Sequence, residues 1–229
     1  MGLPNGVHHA AFCTKDIKAQ IEFFSEVIGM KLVALYWMHG VEGAMHAFLE
    51  LSPKSLMAFV QMPQVSEIES LPGITHAGNA GDPVAAGVLQ HVSFNVEGEA
   101  DLLAMRDRIR SSGIQVLGPV DHGFCKSIYL AGPEGLLLEF STSETAIDAE
   151  LWVDPELVEL CGINADELAR YKKPEAWVSS RPGEVPQPPF DPDQPHQLFD
   201  AEKAAWVQKA SDSEFAEVMS ETTPPGAKA

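Results

Sequence analysis

The pattern of apolar and polar positions divides the first 147 residues into two similar halves. The first half opens with an apolar, β-prone stretch at residues 7–14. Apolar residues then recur at helical spacing from Ile17 onward, with Asp16 suited to cap this helix and Gly29 to end it. Three more strands are predicted at residues 31–37, 45–51 and 55–62. The predicted order is therefore β-α-β-β-β.

The second half repeats this order. A strand that begins near Leu89 precedes a helical pattern that ends at Gly113, and three further strand patterns follow at residues 114–120, 126–131 and 136–141. The segments HHAAF and QHVSF, at the start of the two halves, align with each other. An internal duplication of this kind fixes the architecture. We predict an α+β fold in which two βαβββ modules, residues 6–63 and 89–143, form a cupped mixed sheet.

The segments outside the modules differ in composition. The linker at residues 64–88 is long and rich in Gly, Pro and Ala, and we predict a flap beside a pocket. Beyond the modules, two short helical patterns precede a proline-rich stretch at 174–195, and a capped amphipathic helix is predicted over 200–220. We expect a domain at residues 1–147 and an acidic, Pro-rich, partly helical C-terminal extension at 148–229.

Charge and cysteine usage narrow the classes of partner and compartment. The 229 residues carry 33 acidic and 15 basic side chains, a net charge of −18, which argues against nucleic acid and anionic membranes as partners. The three scattered cysteines, the absence of a signal-peptide pattern and the absence of a long apolar run predict a protein of the reducing cytoplasm without a membrane span. Edge strands and the aromatic residues of the extension favour a homodimer.

One carboxylate and two histidines are the candidate site. Glu139 lies in a strand of leucines, where an ionised carboxylate is costly unless it is paired or binds a cation. His9 and His91 occupy equivalent positions on the first strands of the two modules. If these strands meet, the three side chains form a 2-His-1-carboxylate set, which suits Fe(II) or Mn(II) and leaves positions open for substrate and dioxygen. The structural alternative is two satisfied strand histidines and a Glu paired at the surface.

The segment from His122 to Glu139 carries a resemblance to a known family. The two modules resemble the vicinal oxygen chelate superfamily, which includes glyoxalase I, fosfomycin-resistance proteins and extradiol ring-cleaving dioxygenases. Within it, the pattern His-x5-Ile-Tyr-x3-Pro-x-Gly-x3-Glu over residues 122–139 is similar to the signature of type I extradiol dioxygenases. The resemblance covers about residues 6–143, and the C-terminal extension takes no part in it.

This resemblance implies roles for the matching residues. Glu139 would be an iron ligand, with His9 and His91 completing the set. Tyr129 and His122 would be catalytic groups that hydrogen-bond substrate hydroxyls and oxygen-derived species. The implied activity is cleavage of a catechol-type aromatic diol by O2, next to the two hydroxyls, with Fe(II) as cofactor or Mn(II) or another divalent metal in its place.

Three positions depart from the family pattern. Gly132 replaces a residue that is usually Asp, Glu, Asn, Thr or Ala, at a turn that tolerates the change. Glyoxalase-like members carry a fourth ligand on the last strand of the first module, where the sequence places Phe59, with Gln61 on the same face. The acid/base His of ring-cleaving enzymes is also missing, because Lys54-Ser55 stands there. His76 and His46 are candidates to replace it.

Two other classes of function remain open. Another metalloenzyme of the same fold, such as a glyoxalase, an epimerase or a fosfomycin-type thiol transferase, could use the same ligands. A phosphonate substrate would need cations near the pocket, for which the chain offers Lys31, Lys54 and Lys126. A metal-free small-molecule-binding protein is the third possibility, although such proteins usually lack the ligand set.

Overall fold

The first module has the predicted order in the structure, a computed structural model that describes residues 3–179 and 182–227. Helix α1 (Ile17–Glu22) begins as expected, because the Asp16 side chain accepts a hydrogen bond from Ala19 N at 3.0 Å. It continues as a π-helical segment, Phe23–Ile28, which ends at Gly29 in the left-handed conformation with φ 98°. The strands are β1 (His9–Cys13), β2 (Lys31–Trp37), β3 (Met45–Ser52) and β4 (Ser55–Gln61).

The second module repeats these elements. Gly135 has φ 75° in the turn Pro133–Gly135 between its last two strands, which agrees with the turn chemistry of the Pro-x-Gly motif. The elements are β5 (Val92–Val96), α2 (Glu99–Ser111), β6 (Leu117–Asp121), β7 (Lys126–Ala131) and β8 (Leu137–Thr142). The prediction of two βαβββ modules in an α+β fold is therefore confirmed.

Each module has its own mixed sheet of four strands. The strand orders are β1-β4-β3-β2 and β5-β8-β7-β6, with β1 parallel to β4 and β5 parallel to β8. The eight strands thus form two sheets instead of one shared sheet. As a result, the first strands β1 and β5 do not pair with each other, and each is an edge strand of its sheet.

The register of the strands corrects one expectation about the first module. Glu139 lies opposite Ser93 on β5 and Tyr129 on β7, so these residues share a face. The residue with the equivalent pairing in the first module is Ala58, which lies opposite Ala11 and Phe48. The expectation that Phe59 occupies the position of Glu139 was wrong by one residue. A shift of one residue moves a side chain to the other face of the sheet.

Phe59 and Gln61 instead face the core. The Gln61 carboxamide oxygen accepts a hydrogen bond from Ile17 N at 2.8 Å, at the start of α1. The Phe59 ring is fully buried and packs 5.1 Å from the ring of Phe24. Neither side chain is therefore a ligand candidate. The first module still lacks a carboxylate at the position of Glu139, because that position is occupied by Ala58.

The two modules share one hydrophobic core. Phe24 of the π-helical segment also packs 6.4 Å from Phe94 of β5, and buried residues of both sheets and both helices belong to the same cluster. Arg108 of α2 reinforces the contact, because its Nε donates to the Val27 carbonyl at 2.6 Å and its Nη2 to the Glu26 carbonyl at 3.2 Å. The opposite faces of the two sheets, which carry His9 and Glu139, point away from this core.

The described part of the chain forms two compact units. Residues 3–37 and 43–175 belong to one unit, so the modules and the first part of the extension, up to residue 175, cluster together. The reason is visible at Trp152, whose ring packs edge-on against Phe124 at 4.8 Å. The helices of this part are α3 (Ala149–Trp152), α4 (Pro155–Leu160) and α5 (Ala165–Lys172).

The second unit contains residues 38–42 and the described residues from 176 onward. The single helix predicted over 200–220 is two helices, α6 (Ala201–Val207) and α7 (Asp212–Met219), because Ser211 and Glu214 form a capping box that starts a new helix. The described residues of the proline-rich stretch contain neither helix nor strand. Nowhere in the described residues is a helix long and apolar enough to cross a membrane.

Candidate metal centre

Glu139 and His91 meet on the outer face of the second sheet. Their side chains approach to 2.8 Å between His91 Nε2 and Glu139 Oε2. Glu139 is only 6% exposed, and strand pairing with Ser93 and Tyr129 fixes its direction. The structure therefore brings together two of the three predicted ligands, with the ligating atoms of each turned toward the other.

Gln90 controls which nitrogen of His91 is free. The Gln90 carboxamide nitrogen donates to the carbonyls of Asn79, Ala80 and Asp82 at 3.2, 3.0 and 3.1 Å, so its Oε1 turns to His91 Nδ1 in a close contact. Because Oε1 is only an acceptor, Nδ1 carries a proton, and Nε2 is the nitrogen that faces Glu139. Sequence reasoning missed Gln90. These hydrogen bonds also give the long linker, expected as a flap, a structural role: its backbone carbonyls fix the side chain that contacts His91.

This geometry fits a bound cation. A deprotonated Nε2 and a carboxylate oxygen are both acceptors, and at 2.8 Å they repel unless a proton or a metal ion lies between them. Neutral imidazole and carboxylate are ligand types that divalent first-row metals accept. A hydrogen bond to the second ring nitrogen, as Gln90 makes here, is the usual companion of a metal-binding His. His91 and Glu139 are therefore suited to hold a divalent metal.

The carboxylate of Glu139 is kept ionised by its neighbours. Burial raises its pKa, but the hydroxyls of Ser127, Ser141 and Tyr129 and the nearby His91 outweigh burial and leave the pKa of Glu139 below its usual value. Ser141 Oγ donates to Glu139 Oε1 at 2.8 Å. Glu139 thus presents a negative charge near neutral pH, although it is buried among leucines.

Tyr129 and His122 lie beside the same carboxylate. Tyr129 faces Glu139 across β7 and β8, and its hydroxyl is 2.9 Å from His122 Nε2. Burial, followed by the hydrogen bond to Glu139 and its charge, raises the pKa of Tyr129 to about 12. The phenol therefore stays protonated and can donate a hydrogen bond. The four predicted residues of the second module form one continuous group.

His9 is not part of this group within a single chain. It is an exposed residue of the edge strand β1, where its Nδ1 lies 2.9 Å from His8 Nδ1 and its ring packs 5.5 Å from Phe48. Among the described residues, no three His, Cys, Asp or Glu side chains are gathered as a metal would require. His8 precedes His9 as Gln90 precedes His91, and each of the two preceding side chains contacts Nδ1 of the following ring.

The outer face of the first sheet is aromatic where that of the second is polar. Phe48 lies between His9 and His46, with ring centroids 4.3 Å from His46, and stacks nearly parallel to Tyr36 at 6.3 Å. The pairing of Phe48 with Ala58 makes it the repeat equivalent of Tyr129. The first module therefore contributes a histidine and a wall of rings, and the second module contributes the carboxylate and the hydroxyls.

The two candidates for an acid/base His have different surroundings. His46 is 8% exposed on the same face as His9, its Nδ1 is 3.5 Å from the Tyr36 hydroxyl, and burial followed by the charge of His9 lowers its pKa. His76 Nδ1 lies 3.3 and 3.1 Å from the hydroxyls of Ser70 and Thr75, and its ring occupies the space that a side chain at Gly135 would need. Of the two, only His46 lies on a face that carries a predicted ligand.

Comparison with known proteins identifies the family. The sequence model of the Glyoxalase/Bleomycin resistance protein/Dioxygenase superfamily matches residues 6–140, more than half of the chain. The chain belongs to this superfamily. It is the vicinal oxygen chelate superfamily indicated by the sequence, and its members are mostly enzymes, many of them dependent on a divalent metal. None of the curated proteins compared with the chain matches it significantly.

Several solved structures are similar to this chain at low sequence identity, with TM-scores below 0.5. A glyoxylase/bleomycin resistance protein/dioxygenase domain from Frankia sp. EAN1pec is 16% identical with a TM-score of 0.48, over 62% of this chain and 99% of its own. A lactoylglutathione lyase from Agrobacterium tumefaciens is 19% identical (TM-score 0.44; 65% and 97% covered). A variant of the Listeria monocytogenes fosfomycin resistance protein FosX, in complex with Mn(II) and a dihydroxypropylphosphonic acid, is 13% identical (TM-score 0.43; 65% and 99% covered).

Proposed function

We propose that the protein is a cytoplasmic, Fe(II)-dependent extradiol dioxygenase that cleaves a catechol-type aromatic diol with O2. The observation that carries this proposal is the pair of His91 Nε2 and Glu139 Oε2 at 2.8 Å, next to the Tyr129 hydroxyl and His122. The two candidate ligands and the two polar side chains are those to which the extradiol signature assigns roles, and their proximity supports the proposal.

The third ligand, His9, would come from a second copy of the chain. Both strands that carry or follow the ligand histidines, β1 and β5, are sheet edges with unpaired backbone groups. A two-fold dimer that pairs β1 of one copy with β5 of the other would contain two such strand pairs. The backbone groups of all four edge strands would then be hydrogen-bonded. This dimer would place His9 of each copy beside His91 and Glu139 of its partner, and produce two equivalent sites.

In this proposal the metal supplies Lewis acidity that lowers the pKa of a bound diol hydroxyl and a centre at which electrons pass from diol to dioxygen. His91, Glu139 and the second copy's His9 would hold it on one side only, so that positions for both reactants stay open. Tyr129, protonated because of its raised pKa, donates a hydrogen bond to a substrate oxygen. His122, bonded to the Tyr129 hydroxyl, can exchange a proton with it.

The rings beside His9 favour an aromatic substrate. Phe48, Tyr36 and His46 cover the face on which His9 lies, and aromatic side chains prefer offset or edge contacts with planar rings. In the proposed dimer this wall would oppose the metal and the hydroxyls of the second module. A catechol has an apolar ring and two adjacent hydroxyls, and it is complementary to both sides.

A phosphonate-directed thiol transferase is less consistent with the charges. Two of the three lysines that could serve a phosphonate already lie near carboxylates, because Lys126 Nζ contacts Glu99 closely and Lys31 Nζ is 4.0 Å from Glu50. The second-module face carries the acidic Glu139, several hydroxyls, and the imidazoles of His91 and His122, but no lysine or arginine contacts Glu139 among the described residues. A neutral diol meets no repulsion there, whereas a dianion does.

Anaerobic reconstitution with Fe(II), followed by metal analysis and oxygen uptake with a panel of catechols, tests this function. We expect stoichiometric metal, oxygen consumption and a yellow ring-fission product. His91→Ala should lose the metal, Tyr129→Phe should keep it and slow turnover about a hundredfold, and His196→Ala, a matched change outside the site, should do neither.

Two results would contradict the proposal in different ways. Normal metal content in His91→Ala would remove His91 from the ligand set. Tight metal binding without oxygen uptake for any diol would keep the metal centre and reject the dioxygenase in favour of another metalloenzyme of the superfamily.

A further inference from the structure

Three serines on three strands surround the carboxylate of Glu139. Ser141 Oγ donates to Glu139 Oε1 at 2.8 Å, and the hydroxyls of Ser93 and Ser127 each lie 2.8 Å from Ser141 Oγ. Cys125 extends the chain, with its Sγ 3.7 Å from Ser127 Oγ. Ser127 is fully buried, so its hydroxyl cannot turn to water.

The direction of one proton in this chain is fixed. An ionised carboxylate accepts hydrogen bonds and donates none, so the single proton of Ser141 is committed to Oε1. Ser141 Oγ can then accept from Ser93, and the buried Ser127 hydroxyl is placed to donate to Ser141 Oγ or to the carboxylate itself. Chains of hydrogen bonds aligned in this way strengthen one another. Oε1 is thereby tied to the protein, while Oε2 remains turned to His91.

The first module provides an internal comparison. Its position equivalent to Glu139 is Ala58, and the strand pairing of Ala58 makes Ala11 and Val60 the equivalents of Ser93 and Ser141. Two of the three hydroxyls are therefore present only in the module that has the carboxylate. A general requirement of the fold for serine at these positions would apply to both modules.

We infer that Ser141 is a positioning residue for the metal centre, and that Ser127 and Ser93 support it. Ser141 holds Glu139 Oε1 so that the carboxylate offers one oxygen, Oε2, to the metal. A carboxylate that binds through one oxygen leaves more of the coordination sphere open to the reactants. This inference rests on the proposed metal centre. It concerns three serines that the family signature does not specify: Ser93 and Ser141 lie outside residues 122–139, and Ser127 stands at a position where the signature allows any residue.

The pair Ser141→Thr and Ser141→Val tests it, because the two variants have the same shape and differ only in the hydroxyl. We expect Ser141→Thr to keep the Mn(II) dissociation constant within about threefold of wild type, and Ser141→Val to raise it about 10- to 100-fold. The electron paramagnetic resonance spectrum of bound Mn(II) should change in Ser141→Val alone. Ser111→Ala, which removes an exposed hydroxyl on α2, is the control.

The outcomes separate the inference from the proposed function. Failure of the wild-type protein to bind Mn(II) or Fe(II) would reject the metal centre itself. Binding in wild type with equal affinities in Ser141→Thr and Ser141→Val would overturn the role of Ser141. If thermal unfolding shows that Ser141→Val does not fold, Ser127→Ala replaces it. Ser127→Ala should weaken Mn(II) binding in the same direction, and unchanged affinity there would overturn the inference.

Discussion

The surroundings of Tyr129 favour its protonated form on balance. Burial and the carboxylate of Glu139 both oppose a second negative charge and outweigh the hydrogen bond of Ser127, which acts in the opposite direction. His122 Nε2 lies 2.9 Å from the same hydroxyl. The repeat equivalent of Tyr129, Phe48, has no hydroxyl and packs against the rings of His9, Tyr36 and His46. The same position of the repeat is therefore a hydrogen-bonding tyrosine in the second module, which has the carboxylate, and an apolar phenylalanine in the first module, which lacks it.

At this scale we predict that one tyrosine titrates late. In the metal-free protein the phenolate absorbance should show a step near pH 12, because the pKa of Tyr129 is raised to about 12, and Tyr129→Phe should lack that step. Since the folded pKa lies above the ordinary value of 10.0, the protonated phenol stabilises the fold fully below about pH 10, and this contribution is lost as pH rises toward the folded pKa.

Urea unfolding at several alkaline pH values checks the sign of this effect. The free energy of unfolding should fall more steeply with rising pH in wild type than in Tyr129→Phe. Tyr171→Phe, a change at an exposed tyrosine, should behave as wild type. A late step that persists in Tyr129→Phe would assign the raised pKa to another residue.

Single residues also mark the limits of the sequence. Asp16 and Gly29 were assigned correctly as helix start and end, because capping and left-handed φ depend on local chemistry. Phe59 was placed wrongly because the turns that precede β4 and β8 differ in length, so that the sequences of these strands can be aligned in two registers. The pairing of β4 with β1 and β3 shows that Ala58 is the equivalent of Glu139. Gln90 was missed because its role depends on carbonyls of the folded linker.

Among the elements, the π-helical segment after α1 joins the modules. Phe24 lies on this segment and contacts Phe59 of the first sheet and Phe94 of the second sheet. Its side chain is fully buried, so it belongs to the core of both modules at once. An element that contacts both sheets makes their folding cooperative, since neither module can keep its core when this contact is lost.

We therefore predict that Phe24→Ala destabilises the protein by about 3–5 kcal/mol, because it removes a large buried ring and leaves a cavity. Urea denaturation followed by circular dichroism measures the effect, and the transition should remain single. Phe12→Ala is the matched control: Phe12 is partly buried and has one phenyl neighbour, Phe59, so its loss should cost less.

An equal cost for the two substitutions would argue against a shared core centred on Phe24. Two separate transitions in Phe24→Ala, one for each module, would show that the modules fold independently. Either result would place the coupling between the modules elsewhere, for which Arg108 and its hydrogen bonds to the π-helical carbonyls are the next candidates.

For the whole molecule, the arrangement of the modules has a direct consequence for the site. The inner faces of both sheets are used by one core, so the outer faces that carry His9 and Glu139 cannot face each other within a chain. Each chain presents a histidine with an aromatic wall on one face, and a His–Glu pair with hydroxyls on the other. A second copy is the simplest source of the missing half for each face.

Subunit mixing tests this arrangement. We predict that His9→Ala and Glu139→Gln each lose metal binding as pure dimers, and that mixing the two variants after reversible dissociation restores about a quarter of the wild-type metal sites. The reason is that random exchange makes about half of the dimers mixed, and each mixed dimer has one site with both defects and one intact site. Mn(II) titration of the mixture measures the recovery.

Two controls make the result specific. Mixing His91→Ala with Glu139→Gln should restore nothing, because both changes lie in the same half-site. A wild-type protein that is monomeric in sedimentation yet binds one metal per chain through His9 would contradict assembly between copies. It would require the two modules of one chain to rearrange.

The sequence alone determined the duplication, the order of the elements, the caps of the first helix and the adjacent strands that carry Tyr129 and Glu139. All of these depend on periodicity, turn chemistry or spacing within one hairpin, where neighbours in sequence are neighbours in space. Tyr129 and Glu139 belong to this class, because β7 and β8 are joined by a short turn.

The tertiary structure alone decided how the two halves are placed. Whether His9 meets His91 and Glu139 depends on which faces of the sheets are buried, and both inner faces are apolar enough to form one core. Two repeats with the same pattern can pack in a chain or exchange between chains with similar local contacts, so no local signal distinguishes these arrangements. In the proposed dimer, the pairing of the edges of β1 and β5 would make that choice.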